Sequence, residues 1–107
     1  MATSIPAANV DTIIFACEAG IGSSIMGVNS LKKKFKAAGL KVNVIHKPVR
    51  SVPADAKVII AHKGLAKFAR DRAPNAVVVA FSQFLNDPVF DKVVQAFQNG
   101  GDIVEVQ

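Results

Sequence analysis

The stretch "TIIFACEAGIGSS", residues 12–24, joins an apolar run to a loop of glycines and serines. The run "TIIFAC" (12–17) is short, apolar and rich in β-branched residues, which is typical of a strand covered on both faces. Beyond the loop, apolar residues recur at helical spacing from Ser24 to Ala38, and Gly39 is expected to end that helix. The stretch therefore predicts a strand, a tight loop and a helix in succession.

The remainder of the chain repeats this alternation. A short helix is predicted from the spacing of Leu65, Phe68, Ala69 and Arg72, and it ends before Pro74. A last helix begins at Asp87-Pro88, an N-cap residue followed by proline at the first helical position. The segment "DIVEV" (102–106) is either a short edge strand or irregular. This alternation predicts an α/β fold with a four-stranded parallel sheet and helices on both faces. The three further strands are predicted at "KVNVIH" (41–46), "KVIIAH" (57–62) and "AVVVAF" (76–81).

The length of 107 residues predicts a single domain. Residues 1–10 are aperiodic and are interpreted as a flexible leader or linker, and residues 11–107 as the domain. No stretch approaches the roughly 20 apolar residues of a membrane span, and a secretory signal is not expected. The single cysteine excludes an internal disulfide and a four-cysteine zinc site, and it fits a reducing, cytoplasmic setting.

The chain is basic, with a formal net charge of +5. This charge favours acidic partners. Nucleic acid is not expected, because the chain has no Trp or Tyr and its Phe residues belong to apolar patterns. The surplus is densest at Lys32, Lys33, Lys34 and Lys36. These lysines are either the solvated face of a helix or a docking surface for an acidic protein or anionic lipid.

The loop after the first strand is suited to binding an anion. Gly20 and Gly22 permit positive φ angles, so that successive backbone N–H groups can form a concave anion-binding nest. The loop leads into a helix N-terminus, which attracts negative charge and lowers the pKa of a nearby thiol. Cys17 is therefore predicted to be a nucleophile facing a phosphate-sized site. The alternative is a small thiol buried in the core.

The spacing of the loop also separates two kinds of chemistry. Cysteine-dependent phosphatases have a cysteine, five residues and then an arginine that clamps the phosphate oxygens. Here Ser23 occupies the position of the arginine. Backbone amides can still hold a phosphoryl group on sulfur, with less help for water to remove it. This combination favours a carrier that passes the group on over a hydrolase.

The segment "ACEAGIGSSIMG" (16–27), followed by a basic helix that ends in "AAGL" (37–40), resembles a known family. It is similar to the cytoplasmic enzyme IIB component of the bacterial phosphoenolpyruvate-dependent sugar phosphotransferase system, especially the mannitol-type branch. The resemblance implies a Rossmann-like or flavodoxin-like sheet, similar to that of low-molecular-weight tyrosine phosphatases. It differs in Glu18, where the mannitol branch usually has aspartate. The segment from Asn43 to Pro53 matches little of the family, so the sugar is not predicted from it.

The resemblance implies a transferase that needs no cofactor or metal. Cys17 would accept a phosphoryl group from a phosphohistidine on enzyme IIA and pass it to a sugar or sugar alcohol bound by the membrane component IIC. The domain would work in the cytoplasm, at the inner face of the membrane when bound to or fused with IIC. The phosphate-holding loop would comprise Glu18, Ala19, Gly20, Ile21, Gly22, Ser23 and Ser24.

Several other residues are candidates with a plainer alternative. His62, in a segment "AHKGL" (61–65) that resembles one of the mannitol branch, could donate a hydrogen bond to phosphate or be an ordinary histidine at a strand end. His46 is a weaker candidate of the same kind. Asp87 could be a general acid, although a helix N-cap explains it locally. Met26 and Ile21 could form an apolar docking rim or belong to the core.

Three rival functions follow from the same residues. A low-molecular-weight cysteine phosphatase would use Asp87 as its acid, and the missing loop arginine argues against it. An arsenate reductase of similar fold is disfavoured because it normally needs further cysteines. The other rival is a noncatalytic, IIB-like regulatory module that senses phosphorylation within a larger regulator.

Overall fold

The computed structural model describes residues 4–17, 23–82 and 88–105, which form six strands and three α-helices. No helix within these ranges is long and apolar enough to cross a membrane. In chain order the elements are β1 (Ser4–Pro6), β2 (Thr12–Cys17), α1 (Ser23–Ala37), β3 (Asn43–Pro48), β4 (Val58–His62), α2 (Ala66–Arg72), β5 (Val77–Phe81), α3 (Pro88–Asn99) and β6 (Asp102–Val104), with 3-10 turns at Ala7–Asn9 and Val49–Ser51.

Four of the strands form one parallel sheet in the order β3-β2-β4-β5. Counted from β2, this is the 2-1-3-4 order of a flavodoxin-like sheet. The predicted α/β fold with a four-stranded parallel sheet is confirmed, and β2 has the predicted bounds. Strand β3 begins two residues later than predicted, because its pairing with β2 runs from Thr12–Asn43 to Cys17–Pro48.

The two faces of the sheet differ in that one carries aromatic side chains and the other only aliphatic ones. Alternate residues of β2, β4 and β5 point to opposite faces, as the pleat of a strand requires. One face is lined by large side chains such as Phe15, Ile60 and Phe81, and it packs against α1 and α3. The other face includes Ala16 and Ala61 and packs against α2. Helices therefore cover both faces, as predicted.

Helix α2 is formed where it was predicted and packs on the sheet through small residues. Its buried residues are Ala66 and Ala69, whereas Phe68 is 61% exposed. Phe68 therefore lies on the outer side of α2, while Ala66 and Ala69 pack against a sheet surface of aliphatic residues and alanines.

The N-terminal segment is part of the packed structure. Strand β1 pairs antiparallel with β6, with Ile5 opposite Ile103. Ala7 and Val10 are buried in the same core as α1 and α3. The interpretation of residues 1–10 as a flexible leader is therefore wrong for residues 4–10, while residues 1–3 lie outside the described ranges. "DIVEV" supplies an edge strand, β6, as one of its two alternatives predicted.

Both predicted helix signals act where expected. Gly39 has a φ angle of +74° just beyond the end of α1, a conformation that glycine adopts without a side-chain clash. Pro88 is the first residue of α3. A half-buried ion pair further joins α2 to the segment after β6, because Arg70 Nε donates to Glu105 Oε1 over 2.8 Å.

Candidate functional site

The carboxyl edge of the parallel sheet brings the ends of its strands together. Cys17 is the last residue of β2, an interior strand, and it pairs with Pro48 at the end of β3. On the other side of β2, Ala16 pairs with Ala61, and His62 follows as the last residue of β4. Ligands of open α/β sheets bind beyond such carboxyl ends. Cys17 and His62 therefore end adjacent strands at the edge where a ligand is expected.

The backbone continues from this edge into helix α1. Ser23 and Ser24 are the first two residues of α1, six and seven residues after Cys17. The remainder of the predicted phosphate-holding loop, residues 18–22, lies outside the described residues. A helix N-terminus with unpaired N–H groups thus follows Cys17 closely in the chain, as the sequence predicted.

His62 is held in one orientation by its neighbours. The N–H of Gly64 donates to His62 Nδ1 over 3.2 Å, and the ring lies edge-on to Phe81 with centroids 5.6 Å apart. The backbone is fixed as well, because Leu65 N–H donates to the His62 carbonyl over 2.7 Å. A nitrogen that accepts a hydrogen bond carries no hydrogen, so the neutral imidazole carries its hydrogen on Nε2.

Gly64 was not singled out from the sequence, and its contribution is local. A Cβ atom at this position would make an ordinary contact with His62 Nδ1 at 3.4 Å, so the contribution of Gly64 is the backbone N–H that donates to Nδ1. The signal in the sequence is a glycine two residues after a histidine that ends a strand. The tight turn after β4 thereby orients the ring.

Below this edge lies an aromatic cluster. The rings of Phe15, Phe81 and Phe90 are mutually tilted, with centroid distances from 5.2 to 6.2 Å. All three side chains are buried, and Phe15 precedes Cys17 by two residues. Rings at this separation attract each other beyond their burial. The ends of β2 and β5 therefore rest on a rigid support.

Basic residues flank the same edge. Lys47 is the next-to-last residue of β3, and the exposed Arg50 follows in the 3-10 turn. Lys63 comes directly after β4 and is exposed. Positive charge near a site attracts anions from solution. These basic residues were not predicted to be part of the site. Their position at the ends of the strands beside β2 is the signal that could have identified them.

The other candidates fall at different places. His46 is exposed on β3, two residues before its end. Asp87 and Ile21 lie outside the described residues, as does the side chain of Met26. Among the described residues, no group of three His, Cys, Asp or Glu side chains is arranged to hold a metal ion.

The four lysines of α1 divide between two environments. Lys34 forms an ion pair with Asp91 of α3, with 2.9 Å between Nζ and Oδ1. Lys32, Lys33 and Lys36 are exposed.

Comparison with known proteins extends these observations. Residues 12–96 match the family model described as "PTS system, Lactose/Cellobiose specific IIB subunit". The chain is 38% identical over 94 residues to the "PTS system mannitol-specific EIICB component" of Bacillus subtilis (strain 168), covering 88% of this chain and 20% of that protein. It is 41% identical over 90 residues to the mannitol-specific EIICBA component of Vibrio cholerae serotype O1, covering 84% of this chain and 14% of that protein.

A solved structure has the same fold. The lactose-specific IIB component domain from Streptococcus pneumoniae superposes with a TM-score of 0.51 at 14% identity, covering 84% of this chain and 92% of that one. The chain spans a fifth or less of the length of the two mannitol-specific relatives. Its matches nevertheless extend from β2 to α3, through both the strand that ends in Cys17 and the strand that ends in His62. The chain belongs to the IIB family of the sugar phosphotransferase system.

Proposed function

We propose that this chain is a phosphocarrier that holds a phosphoryl group on Cys17 between two transfer steps. The observation that carries the proposal is the position of Cys17, the last residue of an interior parallel strand and six residues before helix α1. Membership of the IIB family supports a phosphotransferase role in general. The position of Cys17 between β2 and α1 supports its sulfur as the atom that carries the phosphoryl group.

In the first step, the thiolate of Cys17 attacks the phosphorus of a phosphohistidine on a IIA protein or domain. The S–P bond forms as the N–P bond breaks, and the leaving imidazole nitrogen keeps the electron pair and takes a proton from solution. The transition state is loose, so the protein contributes mainly alignment and stabilisation of charge. The loop from Glu18 to Ser24 would supply N–H donors to the phosphate oxygens.

In the second step, a hydroxyl oxygen of a sugar or sugar alcohol attacks the phosphocysteine. The O–P bond forms as the S–P bond breaks, the sulfur leaves as thiolate, and the hydroxyl proton passes to a base of the sugar-binding component. The thiolate returns ready for another cycle. No metal or organic cofactor has a part in either step.

The names of the relatives support the proposed IIA and IIC partners. The Bacillus subtilis relative is a EIICB component, and the Vibrio cholerae relative is a EIICBA component. We propose that this chain likewise exchanges phosphoryl groups with IIA and IIC partners, at the inner face of the membrane. Both relatives are named mannitol-specific, which favours a mannitol-like sugar alcohol over other sugars as the final acceptor.

His62 is proposed to contact the phosphoryl group. It ends the strand next to that of Cys17, and its Nδ1 is occupied by the N–H of Gly64. In the neutral ring the hydrogen is then on Nε2, and we propose that this nitrogen donates to a phosphate oxygen when a phosphoryl group is bound. Such a donor would supply from β4 part of the stabilisation that phosphatases obtain from the loop arginine.

A low-molecular-weight cysteine phosphatase is the second candidate, since it shares the fold and the cysteine. Serine in place of arginine at position 23 disfavours it, because hydrolysis needs a clamp on the phosphate oxygens and an acid for the leaving group. A phosphorylation-sensing regulatory module would also carry phosphate on Cys17, but it would not pass the group to a sugar.

The experiment is intact-mass analysis after incubation with phosphoenolpyruvate and the general and IIA phosphotransferase proteins. One phosphoryl group is expected on the native chain and none on Cys17→Ser, since a serine hydroxyl is not comparably ionised. Adding membranes that contain the IIC component and mannitol should then remove the group and form mannitol phosphate.

Each alternative has a distinct result. Turnover of an aryl phosphate without partner proteins would identify a phosphatase. A phosphorylated chain that never discharges to any sugar in the presence of IIC would identify a sensing module. Phosphate on a residue other than Cys17 would overturn the assignment of the site.

A further inference from the structure

Four exposed lysines, here called the lysine patch, lie toward the end of the molecule opposite the Cys17 edge. Lys32, Lys33 and Lys36 lie in the second half of α1, and Lys41 lies between α1 and β3. An open groove of about 590 Å³ is lined by three of these lysines, Lys32, Lys36 and Lys41. Its lining also includes Leu40, Val42 and Asn43. None of the four forms an ion pair with another described residue.

The helix dipole accounts for only part of this patch. Cations in the last turn of a helix are stabilised by its C-terminal partial charge, and Lys34 and Lys36 occupy that turn of α1. Lys34, however, is already paired with Asp91, while Lys32 and Lys33 lie nearer the middle of the helix and Lys41 lies outside it. The convergence of three lysines on one groove therefore needs another explanation.

The chemistry of the groove favours a layer of phosphate groups. All its cations are lysines, which act as flexible point charges and lack the planar fork with which arginine fixes a single carboxylate or phosphate in one geometry. The chain has no Trp or Tyr, and the patch contains no Arg, so the residue types that dominate protein interfaces are missing from it. A cluster of four lysines is in the range that binds anionic lipid headgroups.

We infer that this lysine patch, Lys32, Lys33, Lys36 and Lys41, binds the anionic phospholipid surface of a membrane. Lys36 lies 13 residues beyond the start of α1, about 20 Å along its axis. Asn43 pairs with Thr12 at the amino ends of β3 and β2, at the edge opposite Cys17. A membrane bound at the patch therefore leaves the Cys17 edge facing away from the lipid.

This orientation has a consequence that rests on the proposed function. A domain held by the lysine patch exposes Cys17 to a IIA partner in the cytoplasm. To reach a sugar bound in the membrane, the domain must leave the lipid and rotate so that Cys17 faces the membrane. Weak, salt-sensitive binding fits such a cycle, because electrostatic attraction to a membrane falls off within a Debye length. Lipid binding itself does not depend on phosphoryl transfer.

The test is flotation of the full chain with vesicles of three parts phosphatidylcholine to one part phosphatidylglycerol. The native chain is expected to bind these vesicles in low salt, to be released by high salt, and not to bind pure phosphatidylcholine. The triple variant Lys32→Gln/Lys36→Gln/Lys41→Gln should bind roughly 100-fold more weakly, at about fivefold per lysine. The matched control Lys63→Gln/Lys67→Gln/Lys92→Gln removes the same charge from exposed positions elsewhere. Its affinity for the vesicles should fall much less.

The other outcomes overturn the inference. Equal losses in the two triple variants would mean attraction by net charge alone. Binding to polyglutamate without binding to vesicles would indicate an acidic protein partner. Displacement from vesicles by inorganic phosphate, beyond that by sodium chloride of equal ionic strength, would indicate a discrete phosphate site.

A second measurement tests the orientation. Cys17 is the only cysteine, so a thiol-reactive fluorophore labels this position alone. On vesicle-bound protein, iodide in solution should quench the fluorophore as it does in free protein, whereas a quencher attached to lipid chains should not. Quenching by the lipid-bound group would show that the Cys17 edge faces the membrane, which contradicts the inference. Failure of either measurement leaves the intact-mass result for Cys17 unchanged.

Discussion

Cys17 and His62 end two neighbouring parallel strands, each one residue beyond the paired residues Ala16 and Ala61. This register places residues 17 and 62 side by side along the edge, although 44 residues separate them in the chain. The imidazole is oriented from beneath by Phe81 and from the side by Gly64. A group held in one orientation stabilises developing charge without reorganising during the reaction.

Replacing His62 is expected to slow phosphoryl transfer without preventing phosphorylation of Cys17. Loss of one donor to the transferring group typically lowers a rate by about 100-fold, and we expect a loss of this order for His62→Ala. His62→Gln keeps an N–H donor and should recover part of the rate. The measurement is the single-turnover transfer of phosphoryl from Cys17 to mannitol in the presence of IIC.

The second histidine of the chain is the control for this prediction. His46 is exposed on the edge strand β3, and His46→Ala should leave the transfer rate unchanged. Urea unfolding of both alanine variants separates a rate effect from a loss of folded protein. A normal rate in His62→Ala would remove His62 from the site, and equal rates in His62→Ala and His62→Gln would assign it a packing role.

The thiol of Cys17 is expected to ionise more readily than an ordinary cysteine. A nearby helix N-terminus favours the thiolate, so the midpoint of its alkylation by iodoacetamide should lie below the usual thiol pKa of about 8.5. Because the chain has one cysteine, the modified mass reports this group alone. The same chain in denaturant supplies the reference. A midpoint in the folded protein at or above this reference would contradict the proposed loop.

Local patterns predicted the sheet well where strands are buried on both faces. "TIIFAC" has the predicted bounds because nearly every residue of β2 is covered, and the run of apolar residues therefore has the length of the strand. The edge strand β3 has only one buried residue, Val44, and the next two residues, Ile45 and His46, are exposed. Its bounds are fixed by pairing with β2, which a local pattern does not contain.

Pairings between distant segments were not predictable in the same way. Strand β1 has only three residues, ends in Pro6 and is stabilised by β6 nearly 100 residues later, so nothing within "SIP" indicates a strand. The location of Cys17 was predicted, because strand, loop and helix are consecutive in the chain. Its adjacency to His62 depends on β4 lying beside β2, and strand order is a property of the whole fold.

The aromatic cluster beneath the site should contribute strongly to stability. Phe90 is fully buried and contacts both Phe15 and Phe81, so Phe90→Ala is expected to lower the free energy of unfolding by roughly 3–5 kcal/mol. Phe68 is the matched control, since it is 61% exposed, and Phe68→Ala should change stability by about 0.5 kcal/mol or less. Urea titration measures both, and similar losses for the two variants would contradict the assigned burial.

The two ion pairs of the described residues should differ in their contribution to stability. The side chains of Arg70 and Glu105 are 22% and 13% exposed, and Arg70 Nη2 is buried without a hydrogen-bond partner among the described residues. Removing the carboxylate leaves the guanidinium charge uncompensated, so Glu105→Gln is expected to cost roughly 1.5–3 kcal/mol. In the more exposed pair Asp91 is 58% exposed, and Asp91→Asn should cost about 1 kcal/mol or less.

A double variant distinguishes loss of this pair from a general effect on the C-terminal segment. In Arg70→Met/Glu105→Leu no charge remains to be buried, and apolar side chains of similar length fill the space, so stability should return toward that of the native chain. The measurement is the free energy of unfolding in urea for Arg70→Met, Glu105→Leu and the double variant. Additive losses would mean that Arg70 and Glu105 contribute independently, and that β6 is held to the core by Ile103 and its pairing with β1 instead.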